Sequence, residues 1–164
     1  MTKASYAIAI GSNRPGRAGR PHAIVRAAFA ALGKVTAASP IADTAPLGPS
    51  MRRYANAVAI VASDEAPDAL LRRLKAIERR FGRRAGRRWG ARVLDLDIVL
   101  WSEGCWASPG LIVPHPAFRE RGFVLVPLMQ AAPDWRDPVS RLTVRQLAAR
   151  LARARPVDRA RPRA

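Results

Sequence analysis

Two aspartates stand two residues apart in the stretch 94–100, Leu-Asp-Leu-Asp-Ile-Val-Leu. In a strand, alternate side chains share a face, so Asp95 and Asp97 would point together while Leu94, Leu96, Ile98 and Leu100 enter a core. At a strand's rise their Cα atoms are about 6–7 Å apart. Two carboxylates this close repel each other unless a cation intervenes. Neighbouring arginines could supply it through salt bridges. A hard divalent ion such as Mg²⁺ is the other solution, because it takes one or two carboxylates and completes its shell with water and phosphate oxygens.

The residues before the pair favour phosphate. Arg83, Arg84, Arg87, Arg88 and Arg92 share one loop with Trp89. Guanidinium groups are permanently charged and bind phosphate oxygens bidentately. Trp89 could stack on a base, cover a site or anchor packing. A cationic loop leading into a carboxylate pair suits a nucleoside triphosphate with its magnesium. DNA would use the arginines and leave the acids without a role. His115 lies in a stiff turn between Pro114 and Pro116, with Arg119, Arg121 and Phe123 close behind it as a cationic edge and a stacking ring. A lone histidine can equally fill surface or core. Gly11, Ser12 and Asn13 could cradle a ligand, but they lack the lysine and glycine spacing of a P-loop.

The elements that must position these groups follow from periodicity. Residues 6–10 form an apolar run stopped by Gly11, which predicts a buried strand entering a loop. Ile24, Ala27, Ala28, Ala31 and Leu32 have helical spacing over 21–32, with Pro21 acceptable in the first turn and Gly33 closing the helix. Residues 34–45 read as extended, broken near Pro40, before a proline-rigid loop at 46–49. The next strand covers 55–62. Asp64 is placed to cap a helix whose stripe is Leu70, Leu71, Leu74, Ile77 and Phe81, ended by Gly82. Strands at 93–101 and 111–113, short helices over 118–129 and a last helix at 144–151 complete the chain. Thr143 and Gln146 form a capping box for that last helix. Strands and helices alternate without the rhythm of a large parallel sheet, which predicts an α+β fold with helices packed on a mostly antiparallel sheet.

The chain has 164 residues, enough for one core, with 29 Lys+Arg against 12 Asp+Glu and a formal net charge of +17. Such a field attracts polyanions, whether nucleic acid or phosphorylated ligands, although an arginine-rich solvated surface would also produce it. Residues 1–152 are read as a single domain and 153–164 as a basic, disordered tail, with Arg153 beyond the last helix. Cys105 is the only cysteine, so no internal disulfide forms. No apolar run approaches the ~20 residues of a membrane helix, and the start carries no signal-type stretch. A soluble, cytoplasmic protein is expected.

The stretch 88–99, Arg-Trp-Gly-Ala-Arg-Val-Leu-Asp-Leu-Asp-Ile-Val, resembles the signature of the 6-hydroxymethyl-7,8-dihydropterin pyrophosphokinases of folate biosynthesis. Residues 9–13, 44–49, 54–56, 114–115 and 121–123 are similar to that family's other motifs in order, so the resemblance covers about 6–151. It implies a ferredoxin-like layered fold, usually monomeric, that moves the terminal diphosphate of ATP onto a dihydropterin and releases AMP. It implies further that Asp95 and Asp97 coordinate two Mg²⁺ ions and that Arg83, Arg92, His115 and Arg121 contact the triphosphate. Arg84 and Trp89 belong to a loop that closes over ATP, and Glu78, Ile98, Leu111 and Ile112 fall at the adenosine pocket. Tyr54 and Phe123 would enclose the pterin ring, Asn56 would bond its edge, and Thr44, Ala45 and Leu47 would add backbone contacts.

The chain departs from the family at several points. Ala91 replaces a common proline, Lys75 stands where better-known members have glutamine near the adenosine, and Gly110 lacks a basic side chain that some members carry. The loops at 50–53 and 83–88 are each a residue shorter. Two other readings compete. A nucleic-acid-binding module fits the charge, but no strand carries the Gly-aromatic signature of RNA-stacking domains. A substrate-shifted paralogue is opposed by the intact Tyr54, Asn56 and Phe123.

Overall fold

The computed structural model describes residues 3–45, 52–82 and 92–154. Expectations for Leu47, Arg83, Arg84, Trp89 and Ala91, for the loop at 46–49 and for residues 155–164 lie outside the described residues.

The chain opens with β1 (Ala4–Ser12), α1 (Pro21–Ala31), β2 (Val35–Ala38) and β3 (Ala42–Thr44). It continues through β4 (Tyr54–Ser63), α2 (Pro67–Arg80) and β5 (Asp95–Trp101). A small hairpin, β6 (Trp106–Ser108) and β7 (Leu111–Val113), follows, then a 3₁₀ turn at Phe118–Glu120, α3 (Gly122–Ala131) and α4 (Val144–Ala154). The main sheet runs β2-β4-β1-β5, every pairing antiparallel, with β3 added beside β4. Without β3 this is the β-α-β-β-α-β order of a ferredoxin-like fold. The extended segment expected at 34–45 is therefore two strands broken around Pro40, both paired with β4.

Each sheet face buries its own cluster. Tyr6, Ile8 and Ile10 of β1 and Leu94, Leu96 and Ile98 pack against Ile24, Val25 and Ala28 of α1 and Leu70, Leu74 and Ile77 of α2. On the opposite face Ala7, Val58, Ile60, Val99 and Leu100 meet Val124, Leu125 and Leu128 of α3 and Val144 and Leu147 of α4. Leu100 corrects the sequence reading, which put it on the face of Leu94, Leu96 and Ile98. Between β1 and β5, Ile8 is opposite Ile98 while Ala7 is opposite Leu100. Val99 is thus an extra residue, a bulge that rotates the strand beyond it and inverts its alternation.

Helix ends follow local chemistry in most places. Gly33 and Gly82 take positive φ (93° and 103°) after α1 and α2, a conformation that disfavours any side chain. The capping box at α4 forms: the Thr143 N–H donates to Gln146 Oε1 at 2.9 Å, and the Gln146 N–H donates to Thr143 Oγ at 3.2 Å. Asp64 does not cap α2; Ala66 holds that position with no side-chain bond, and Pro67 enters the first turn. Helix α4 runs three residues past its expected end, so Arg153 belongs to its last turn, where a cation opposes the carbonyl end of the helix dipole.

Candidate active site

Helices α3 and α4 cover only part of their sheet face. Beyond them, on the same face, lie Asp97 opposite Ala9, and Asp95 opposite Gly11, which in turn pairs with Asn56. Gly11 leaves the lane between Asp95 and Asn56 open, since a Cβ there would approach Asn56 Oδ1 to 3.1 Å. With strands about 4.8 Å apart, Asp95 and Asn56 bracket a lane about 10 Å across. On its far side β3 brings Thr44 opposite Tyr54, and the Asn56 amide donates to Thr44 Oγ at 2.6 Å. Ala45 is exposed just past β3, and Tyr54 and Phe123 are each half-buried. The Arg121 guanidinium stands 5.8 Å from the centre of the Phe123 ring.

A cavity of about 700 Å³ opens along the outer edge of β5 and gathers Arg92, Asp95, Asp97 and His115 with Lys75, Leu71, Ile98, Leu111 and Ile112. Arg92 Nη1 donates to Asp95 Oδ1 at 2.7 Å, so the salt bridge weighed from sequence is present for one member of the pair. Asp97 is pushed above the ordinary carboxylate range, first by burial and then by Asp95, with Lys75 and His115 opposing. His115 is placed by its backbone N–H, which donates to Val99 O at 2.9 Å. Its Nδ1 accepts the Ala117 N–H at 3.2 Å, which leaves the ring proton on Nε2. Burial, reinforced by Arg121 and opposed by Asp97, holds His115 below the ordinary imidazole range. In the free protein it is a neutral donor.

Among the described residues no group of three or more acids, histidines or cysteines forms a closed metal cage. The two carboxylates are all-oxygen donors, crowded and partly buried, and suit a hard cation that takes its remaining ligands from phosphate and water.

Residues expected at the adenosine pocket divide into two groups. Ile98, Leu111 and Ile112 line the cavity, and Ile112 remains 57% exposed although apolar. Glu78 does not line it. Its side chain has no exposed surface, and Oε1 accepts the Leu96 N–H at 2.8 Å and the Lys75 ammonium at 2.8 Å. Lys75 faces the cavity, at the position that the resemblance put near the adenosine in place of a common glutamine. It follows Leu71 by four and precedes Glu78 by three, on one surface of α2.

Asn13 was undervalued. Its Oδ1 accepts the Arg92 N–H at 2.8 Å and its own N–H donates to Arg92 O at 3.2 Å, fixing the residue that leads into the acidic pair.

The family model for 7,8-dihydro-6-hydroxymethylpterin-pyrophosphokinase (HPPK) matches residues 7–133, the span that contains every cavity residue. The chain belongs to this family. It is 40% identical over 148 residues to a 2-amino-4-hydroxy-6-hydroxymethyldihydropteridine pyrophosphokinase of Pseudomonas aeruginosa, covering 87% of this chain and 89% of that one. It is 42% identical over 100 residues to the enzyme of the same name from Synechocystis, covering 61% of this chain and about half, 51%, of that relative. Among solved structures, an HPPK-DHPS crystallised with substrates superposes with a TM-score of 0.76 at 12% identity, covering 94% of this chain and 45% of that chain. That likeness establishes the ferredoxin-like HPPK fold, and the sequence matches establish membership.

Proposed function

We infer that the protein transfers diphosphate from ATP to 6-hydroxymethyl-7,8-dihydropterin and releases AMP, a Mg²⁺-dependent step of folate biosynthesis. The observation that carries this reading is one cavity in which Asp95, Asp97, Arg92 and His115 adjoin an apolar wall. The pterin hydroxyl oxygen attacks the β-phosphorus. A new O–P bond forms there, the bond from the β-phosphorus to the oxygen it shares with the α-phosphorus breaks, and that oxygen leaves with AMP and the electron pair. The hydroxyl proton passes to solvent. Transfer of this kind depends on alignment and on neutralising charge more than on a strong base.

Asp95 and Asp97 would hold two Mg²⁺ ions, which when bound neutralise phosphate charge and lower the pKa of the hydroxyl. Arg92, Arg121 and the Nε2–H of His115 would donate to phosphate oxygens. Arg83, Arg84 and Trp89 join this reading because in the sequence their segment leads into Arg92, a residue of the cavity. Ile98, Leu111 and Ile112 would flank the adenine, with Glu78 acting behind them. Tyr54 and Phe123 would enclose the pterin, Asn56 would bond its edge, and Thr44, Ala45 and Leu47 would border it. The lane across Gly11 suits a bicyclic ring whose hydroxymethyl arm reaches toward the acidic pair. The protein is read as a cytoplasmic monomer acting on two small substrates.

AMP formation tests the reading directly. AMP should appear only when ATP, Mg²⁺ and 6-hydroxymethyl-7,8-dihydropterin are all supplied. AMP release indifferent to the pterin would overturn the substrate assignment.

A further inference from the structure

Lys75 is tied on two sides. Its ammonium donates to Glu78 Oε1 at 2.8 Å and to Leu96 O at 3.1 Å. The Leu96 N–H is itself bound by Glu78, so both polar groups that this residue turns to the outer edge of β5 are closed by α2. An ammonium has three N–H donors. Two are engaged among the described residues, and the third is left for the cavity that Lys75 lines. The side chain is 32% exposed, so its tip is accessible yet held, at little further entropic cost to a ligand.

The cavity changes character at this point. One turn earlier on α2, Leu71 joins Ile98, Leu111 and Ile112 as an apolar wall; beside Lys75 lie Asp97, Asp95 and Arg92. The lining therefore passes from apolar to charged between Leu71 and Lys75 on α2 and between Ile98 and Asp97 on β5. A nucleotide laid along this edge has its base against the apolar wall and its triphosphate toward the acids. The group at the junction is the first phosphate after the nucleoside.

Resting on the nucleotide reading above, we propose that Lys75 binds the α-phosphate of ATP and holds it through the reaction as the phosphate of departing AMP. Negative charge accumulates on that phosphate when the shared oxygen takes the electron pair. A fixed ammonium there stabilises the leaving group as well as the bound nucleotide. Glu78 and the Leu96 carbonyl are the positioning groups: they hold the lysine tip at the junction and make no contact with ligand.

The test compares AMP with adenosine, two ligands that differ by this phosphate, using ligand-observed NMR on the full chain. Lys75→Met should weaken AMP about tenfold and leave adenosine unchanged, and kcat for AMP formation should fall by a similar factor. Lys75→Arg, which keeps the charge and the bond to Glu78, should restore AMP binding to within about threefold. Equal weakening of AMP and adenosine, or no change in either, overturns the proposal. A wild-type protein that makes AMP from ATP and pterin while failing these comparisons keeps the proposed function and loses only Lys75. A wild-type protein that binds neither ligand loses both.

Discussion

Asp97 carries an electrostatic cost that a bound cation would remove. Its carboxyl is raised by burial and by Asp95, so its folded pKa exceeds its unfolded value near 4. A raised carboxyl contributes stability that is complete below the unfolded pKa and is lost as pH rises through the folded one. At neutral pH the charged form is therefore a liability. Asp97→Asn should raise the thermal midpoint at pH 7 while AMP formation falls by roughly 100-fold or more, the scale of losing one charge-stabilising group. Calorimetry beside a rate assay checks this, and a variant less stable than the parent at pH 7 contradicts it. The residue types of this pair were legible in the sequence. That Asp95 leans on Arg92 while burial weighs on Asp97 was not, because alternation assigns a face and says nothing of partners or burial.

At the scale of elements, the site depends on two clamps. The first joins the loop after β1 to both ends of the arginine-rich segment. Asn13 binds Arg92 through two backbone-linked hydrogen bonds, and a Cβ on Gly16 would come within 2.6 Å of Val93 Cγ1 and 3.5 Å of the Phe81 carbonyl oxygen. Asn13→Ala leaves the Arg92 N–H without that acceptor and should cost about 1–3 kcal/mol in urea unfolding. The same variant should raise KM for ATP, since Arg92 loses one of its two bonds to Asn13; an unchanged KM would separate the clamp from binding. The second clamp joins α2 to β5 through Glu78. Glu78→Ala leaves the Leu96 N–H without its acceptor and the Lys75 ammonium with only the Leu96 carbonyl, and should cost about 3 kcal/mol, the scale of breaking a buried pair from one side. A loss below 1 kcal/mol would mean that water replaces the carboxylate. The strand carrying the acids was readable from its leucines, but its bulge was not, because periodicity has no marker for one inserted residue.

For the whole molecule, charge and acid stability are linked. The formal net charge of +17 grows as carboxylates protonate, and self-repulsion grows with it. Asp137 resists this trend. It is fully buried, which alone would raise its pKa, but Arg119, the Ser140 hydroxyl and the N–H groups of Val139 and Ser140 outweigh burial and hold it at about 2. Both Arg119 contacts are 2.7 Å and join the turn before α3 to the connection before α4. A depressed carboxyl contributes stability that is present above its unfolded pKa near 4 and lost as pH falls toward 2. The difference corresponds to roughly 2 kcal/mol. Asp137→Asn should lower stability at pH 6 by about that amount and flatten its decline between pH 4 and pH 2. Denaturant melts across that range decide it; parallel curves for variant and parent would assign the acid sensitivity elsewhere.

Composition and spacing alone determined the α+β class, the boundaries of most helices and strands, the capping box before α4, and the acidic pair with its arginine-rich approach. These are local properties, set by period, turn chemistry and residue type within a dozen positions. Tertiary structure decided what depends on distant segments meeting. It placed Asn13 against Arg92, turned Leu100 to the second face, hid Glu78 behind the cavity wall and put Lys75 in its place. The physical reason is the same in each case: a side chain's role is fixed by the partners that satisfy it, and those partners lie 18 to 79 residues away for Glu78 with Leu96 and Asn13 with Arg92. Asp95 and Asp97 announced a charge problem from their own spacing, and the fold assembled the groups that answer it.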